Sequence, residues 1–458
     1  MRSHPQISLF LCIGSLAIGA CSTVLSEPDP TVATVTAVTV TPSRDTVEVG
    51  STVLLSASAS TSDNSPAPAV VWRSTSPSVA EVTNGLVRGV APGRTQIVAA
   101  SGTRADTADI WVVSPPPAPV PPPTPAPVPP PSPPPAGSSS AIWMTADAIR
   151  AVPASGAAWD NLKRAADSDL SGGVLSTRDD HNVRTMAAGL VASRLNSDVH
   201  RAKVRESLRG LIAAPIDGGD PLAIVRRLGT YAIAADLIDL KTFDPTFDGQ
   251  FRAWLDRTRK TQYGGETVAA IHERRPNNWG THAGVSRIAA ALYLGDRAEV
   301  ERAAQVFKGW LGDRTAYAGF TYNDVAWWQV DPTKPVGINP KGAMRDGHSI
   351  DGVLPDDQRR AGAFTWPPPK ENYIYTALEG ALGEAVLLYG QGYDVWNWSD
   401  RALLRSFVWL HEQANFPAEG NDAFQPHIVN RAYGTTFPAP TTSSPGRNIG
   451  WADWTHQP

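Results

Sequence analysis

The chain is predicted to be multidomain and mainly α, with an (α/α) toroid or incomplete barrel as its C-terminal domain and a small β-sandwich before it. Three observations carry this expectation. Residues 31–114 alternate Val and Thr with small residues in short runs, residues 115–140 are dominated by proline, and residues 141–458 place apolar side chains at helical spacing. At 458 residues the chain exceeds one ordinary domain, so two or three are expected. A formal net charge of −4 gives no reason to expect nucleic acid as a partner.

Positions 1–21 read as a basic start, an apolar run from Ile7 to Ile18, and Gly19-Ala20-Cys21. That order describes a secretory signal peptide, too short to span a membrane. Its Ile18-Gly-Ala-Cys21 ending resembles the bacterial lipobox, which implies lipidation of Cys21 as the first mature residue. Ser22, with no aspartate there, resembles the pattern of lipoproteins sent on to the outer membrane. The expectation is therefore a lipoprotein of the cell envelope, with the membrane as a partner through its lipid anchor. An ordinary signal peptide that contains a cysteine is the alternative. Cys12 would leave with the signal, and with two cysteines in all the mature chain has no disulfide. Both domains must then stand on their cores.

The runs Val35–Thr41, Thr52–Ala57 and Thr95–Ala100 read as strands, separated by breaks such as Ser43-Arg-Asp45 and Ala91-Pro-Gly93. About eighty residues of this kind predict a small sandwich. The stretches Val70–Ala80 and Gly85–Gly93 resemble the bacterial immunoglobulin-like group 2 module, which implies a spacer or adhesive unit with Trp72 as its core aromatic. From Pro115 to Pro135, fifteen of twenty-one residues are proline. Such a segment makes a polyproline II rod of roughly 65 Å. Lipid, sandwich and rod in series predict a tethered monomer.

Helical periodicity appears in Val183–Leu195, His200–Ala213, Ala223–Leu240, Phe251–Thr261, His282–Leu294, Ala298–Leu311, Tyr375–Tyr389 and Asp400–Gln413. Consecutive helices with long loops suit a toroid, with a superhelical solenoid as the competing layout. No fixed-period repeat supports the solenoid. The segment Tyr317–Lys370 is long enough to argue for function rather than simple connection. Fifteen tryptophans, most of them after Ala141, suit either sugar stacking or core packing.

Two segments carry the chemistry: Arg275-Pro-Asn277-Asn278-Trp279-Gly-Thr-His282, and Asp351–Arg360 followed by Asn372-Tyr373-Ile-Tyr375. They offer an amide, a guanidinium, a phenol and an imidazole. That set suits removal of a proton beside a carboxylate: the amide and guanidinium neutralise the carboxylate, and the phenol and imidazole move protons. A phenol has a reference pKa of ~10, so it needs a nearby cation to act as a base.

From about Trp159 to the C-terminus the chain resembles the alginate lyase superfamily of α/α-toroid polysaccharide lyases. Asn277-Asn278 resembles its Asn-Asn-His motif. Asp351-Gly352, Pro355, Arg360 and Tyr373 with Ala377-Leu378 resemble its second motif. The closing run Pro445–His456 looks closer to the branch that includes glucuronan-type lyases. The resemblance implies β-elimination on an anionic polyuronate of alginate or glucuronan type, without cofactor or metal. It implies Asn278 and Arg360 on the substrate carboxylate and Tyr373 as base, acid or both. Where the family usually has histidine, this chain has Trp279, and His282 follows one helical turn later. His282 is therefore a further catalytic candidate. Asn277, Trp279, His348, Arg359 and Tyr375 are candidates for binding substrate.

Each residue also has a plainer reading. Asn278 would cap a helix, Arg360 would pair with Asp356 or Asp357, and Tyr373, Tyr375 and Trp279 would be core. The acidic run from Asp346 to Asp357 would be a solvated loop face without calcium-loop spacing. No zinc-protease, Walker or dinucleotide pattern and no Gly-x-Ser-x-Gly elbow appears. Two competing functions remain. One is a toroid glycoside hydrolase using Asp351 with Asp357, or Glu266 with Glu273. The other is a non-catalytic glycan-binding lipoprotein.

Overall fold

The computed structural model describes residues 33–63, 65–114, 141–172, 175, 180–214, 220–441 and 445–457. The signal segment with Cys21 and the proline-rich linker lie outside them. The chain divides into two compact units within that linker.

The first unit is the strand-rich one. Strands β1 (Val35–Thr41) and β4 (Ser56–Thr61) pair antiparallel. A second sheet runs β2 (Arg44–Glu48), β9 (Arg104–Val113), β8 (Gly93–Ser101), β5 (Val71–Ser74), with β2 parallel to β9. A third holds β3 (Thr52–Leu54), β7 (Leu86–Gly89) and β6 (Ala80–Thr83). Pleating sends alternate side chains inward. Thr95, Ile97 and Ala99 on β8 and Ala108, Ile110 and Val112 on β9 are buried, and the register pairs Ile97 with Ala108 and Thr95 with Ile110. The predicted run Thr52–Ala57 is two strands, because the Leu55 N–H turns to the Gly85 carbonyl at 2.8 Å and its side chain enters the core. Trp72 is half-buried against that core.

The second unit is helical. Four helices form an inner row: α3 (His181–Leu195), α5 (Pro221–Leu237), α9 (Asn278–Leu294) and α13 (Asn372–Gly390). Consecutive members of this row pack on one another. A helix apolar all round must be enclosed. Accordingly α9 is buried from Gly280 through Ala291 and α13 from Ala377 through Leu388.

The outer helices show one buried stripe each: α2 (Ala157–Asp167), α4 (Asp198–Ala213), α7 (Pro245–Lys260) and α10 (Arg297–Trp310). On α7 the stripe is Phe247, Phe251, Trp254, Leu255 and Thr258. Short helices complete the chain order: α1 (Ala146–Ala151), α6 (Leu240–Phe243), α8 (Val268–Arg274), α11 (Val325–Trp328), α12 (Pro355–Gln358), α14 (Trp398–Val408), α15 (Gln425–Tyr433) and α16 (Ala452–Thr455). Inner and outer helices alternate, as a toroid requires. The C-terminal run closes the unit: the Trp451 indole donates to the Val183 carbonyl at 2.9 Å and that of Trp454 to Pro153 at 2.8 Å.

All eight predicted helices are present, and most begin earlier than periodicity placed them. Their starts are set by caps: Ser197, Asp220, Asp244, Asn277, Asp296 and Glu371 each accept a first-turn N–H. Glycine permits close approach within the inner row. A Cβ on Gly229 of α5 would lie 2.9 Å from the Ser286 Cα of α9.

Asp236, on α5, accepts the Ile142 N–H at 2.9 Å, and burial pushes its carboxyl from 3.8 up to about 6. A carboxyl raised in the folded state stabilises most at low pH and loses that contribution as pH rises from about 4 through about 6. Asp236→Asn keeps the acceptor without the charge. The variant should be more stable than the parent by about 1–2 kcal/mol near pH ~8 and lose the advantage near pH ~4. Thermal melts at the two pH values check this, and equal melting shifts at both would contradict it.

Candidate functional site

The start of α9 organises the site. Asn277 caps the helix by accepting the Trp279 N–H at 3.2 Å, and its amide donates to Asp356 Oδ2 at 3.0 Å. The Asn278 amide donates to Asp357 Oδ1 at 3.0 Å, and its backbone N–H reaches the same oxygen at 3.3 Å. The amide's other end, Oδ1, accepts from the Arg226 guanidinium at 3.4 Å. Asn278 is fully buried.

Asp356 and Asp357 on α12 are therefore not the solvated face that their acidity alone predicts. Both are buried and hold the long loop to the start of α9. Burial pushes the Asp357 carboxyl up to about 7; the neighbouring Asp356 raises it further, while the Asn278 hydrogen bonds oppose the shift.

Tyr373 stands in the first turn of α13 and is 43% exposed. The Arg360 guanidinium lies over its ring, 4.2 Å from the centroid, and 3.9 Å from Asp357 Oδ1. Arg359 is committed elsewhere, to Asp324 and Asp356 at 3.0 Å each. Two residues on, Tyr375 points into the core, where its hydroxyl donates to the Phe416 carbonyl at 2.6 Å and its ring meets Phe407 and Phe416 edge-on. A phenol so placed contacts no ligand, which corrects its expected role in substrate binding.

His282 is fully buried on α9. Its Nδ1 meets the Asn448 amide, and its Nε2 has no hydrogen-bond partner, with Glu379 Oε2 4.0 Å away. Burial, and then the charges of Arg226, Arg447 and Arg227, push the imidazole well below its usual range, so it is neutral. His348 lies in the long loop, half-buried and stacked on Trp366 at 4.3 Å. None of its recorded contacts is with the α9 cluster. Trp279 is half-buried beneath the Arg275 guanidinium at 4.6 Å, and Arg275 is itself paired with Glu266.

Sequence reasoning missed four members of this neighbourhood. Arg226 and Arg227 come from α5, Glu379 from α13 and Arg447 from the C-terminal run. Arg447 pairs with Glu379 at 2.6 Å, and Arg227 donates to Asn182 at 2.6 Å. The positions of Arg226, Arg227 and Glu379 look like ordinary inner-row helix sites. The only available signal was Arg447-Asn448 inside the closing run already singled out. Of the carboxylates suggested for a hydrolase, Asp351 is held by Arg405, Glu266 by Arg274 and Arg275, and Glu273 by Arg287 and Arg302, while Asp357 accepts from Asn278 at Oδ1 and keeps a buried Oδ2 without a partner. Two cavities of about 620 and 460 Å³ are lined by other residues, around Phe437 and around Asp236. Among the described residues no group of His, Cys, Asp and Glu is arranged to hold a metal.

Residues 34–112 match the family model of the bacterial Ig-like domain (group 2), and residues 192–327 match that of alginate lyase. Similar solved structures include alginate lyase A1-III from Sphingomonas species A1, at 12% identity over 70% of this chain and 96% of that one, with a TM-score of 0.45. They also include the S-layer protein SbsC. Its domains 4 and 5 match at 21% identity over 18% of this chain and 54% of that one, and its domains 5–6 at 21% over 19% and 47%, each with a TM-score of 0.17. The chain spans about half the length of those S-layer structures. No curated protein matches it.

Proposed function

The helical domain carries an alginate lyase family segment, and on that premise we propose that it is a polysaccharide lyase that cleaves a uronic-acid polymer by β-elimination. The substrate is a polyuronate of alginate or glucuronan type. The observation that carries the reading is Tyr373: an exposed phenol under the Arg360 guanidinium, which also lies 3.9 Å from the Asp357 carboxylate that the buried Asn278 amide bonds.

Tyr373, entering as the phenolate, takes the proton from C5 of the uronate, and the electron pair forms the C4–C5 double bond as the C4–O4 bond breaks. The same phenol then returns a proton to O4. The Arg360 cation on the ring face stabilises the negative charge that develops as the proton leaves. The charge spread onto the carboxylate falls to the guanidinium groups around the start of α9, which the buried amide of Asn278 helps to position. Each well-aimed donor there contributes on the order of 3 kcal/mol in the transition state.

His282 plays no direct part in this reading, because a fully buried ring offers no face to a polymer. His282→Gln should accordingly lose less than the ~100-fold that removal of a general base costs. Initial rates at 25 °C, with folding checked by circular dichroism, decide this; a larger loss in a folded variant would make His282 the base. The lipobox reading of Cys21 places the domain on a tether at the cell envelope.

Ultraviolet absorbance during incubation with glucuronan, polymannuronate and polyguluronate tests the proposal. A rising signal from the conjugated double bond on one polymer supports it and names the substrate. New reducing ends without that signal would mean hydrolysis. Binding without any product would mean a glycan-binding protein.

A further inference from the structure

We infer that Arg226 is the residue that receives the carboxylate of the uronate at the scissile bond, with Asn278 as its positioning residue. The inference rests on the elimination reading and adds to it a group that neither motif contains.

Arg226 is set apart from its neighbours by what it lacks. Arg227, Arg359 and Arg447 each have a strong partner, and Arg360 lies on the Tyr373 ring. Arg226 makes one long hydrogen bond, 3.4 Å to Asn278 Oδ1, its Nε is buried without a partner, and among the described residues it has no ion pair. A desolvated guanidinium with unspent donors is costly unless an anion meets it. Burial, followed by the like charge of Arg447, lowers it from 12.5 to about 10, with Glu379 and Tyr373 opposing and Arg227 adding to the shift. Even so it stays protonated at neutral pH. The free protein therefore holds a cation in place, half-buried and underused, electrostatically coupled to the phenol that moves the proton.

The Asn278 amide explains the placement. A guanidinium only donates, so the amide must turn its oxygen toward Arg226 and its N–H toward Asp357. With both ends engaged inside the protein, Asn278 holds the cation rather than touching the polymer. A planar fork of N–H groups suits a carboxylate better than an amide does.

The test uses Arg226→Met and Arg226→Lys in the full chain, with a polyuronate and its methyl ester as paired substrates. Turnover is read by absorbance, and binding by calorimetry. Arg226→Met should lower kcat/KM on the acid polymer roughly 100-fold, with a change of only a few-fold on the ester. Arg226→Lys should recover part of the loss on the acid form alone. A purely structural role would lower both substrates equally, and an unchanged ratio of acid to ester overturns the inference. If the parent shows no elimination on any polymer, the lyase reading fails by itself. The calorimetric ratio then still decides whether Arg226 recognises a carboxylate.

Discussion

Replacing Tyr373 by phenylalanine is expected to lower turnover at least ~1,000-fold while leaving polymer affinity within about threefold. The variant keeps the ring under Arg360 and removes only the hydroxyl, so packing and the cation contact survive. Proton transfer in both directions is lost together, which places the effect in the upper part of the range for acid–base catalysis. Initial rates from the double-bond absorbance, alongside calorimetric titration with an oligouronate, separate the two quantities. Retention of more than about a tenth of the parent rate would remove Tyr373 from the chemistry.

Glu379→Ala should be the most destabilising single change in the site, by about 3 kcal/mol. Glu379 is buried in the middle of α13 and holds the C-terminal run by two bonds, to the Arg447 guanidinium and to the Arg447 backbone N–H. Its loss removes the carboxylate that opposes the charges of Arg226 and Arg447 in this neighbourhood. Removing one partner of a buried pair costs far more than the pair contributes, because the other charge stays uncompensated. Urea denaturation of the two variants Glu379→Ala and Glu379→Gln measures it. Gln should recover part of the loss by accepting the Arg447 N–H. A shift below about 1 kcal/mol for Ala would mean that solvent already screens the cluster.

Much of this was legible in the chain before its structure. Period-2 alternation located β1 to the residue, and 3.6-residue periodicity found every long inner helix. Helix starts were less legible, since caps such as Asn277 and Glu371 are polar and lie outside the apolar pattern. In the proposed site, the paired asparagines open α9 and Tyr373 lies in the first turn of α13. The acidic pair on α12 was misread, because an aspartate in a loop looks the same whether it faces water or a buried amide. Arg226 was invisible for a related reason. It lies far from both motifs in sequence, and only the packing of α5 against α9 brings it to Asn278.

The two carboxylates of α12 have one more consequence. They fasten the Tyr317–Lys370 segment from beneath, at Asn277 and Asn278, and Asp351 adds a tie to Arg405. A stretch anchored at buried points behaves as masonry, not as a door. Its tethered amides should exchange hydrogen for deuterium as slowly as those of the helices it rests on, with or without sugar present. On the lyase reading, a polymer would meet a contour already set in the resting protein, not one formed by closure of this segment.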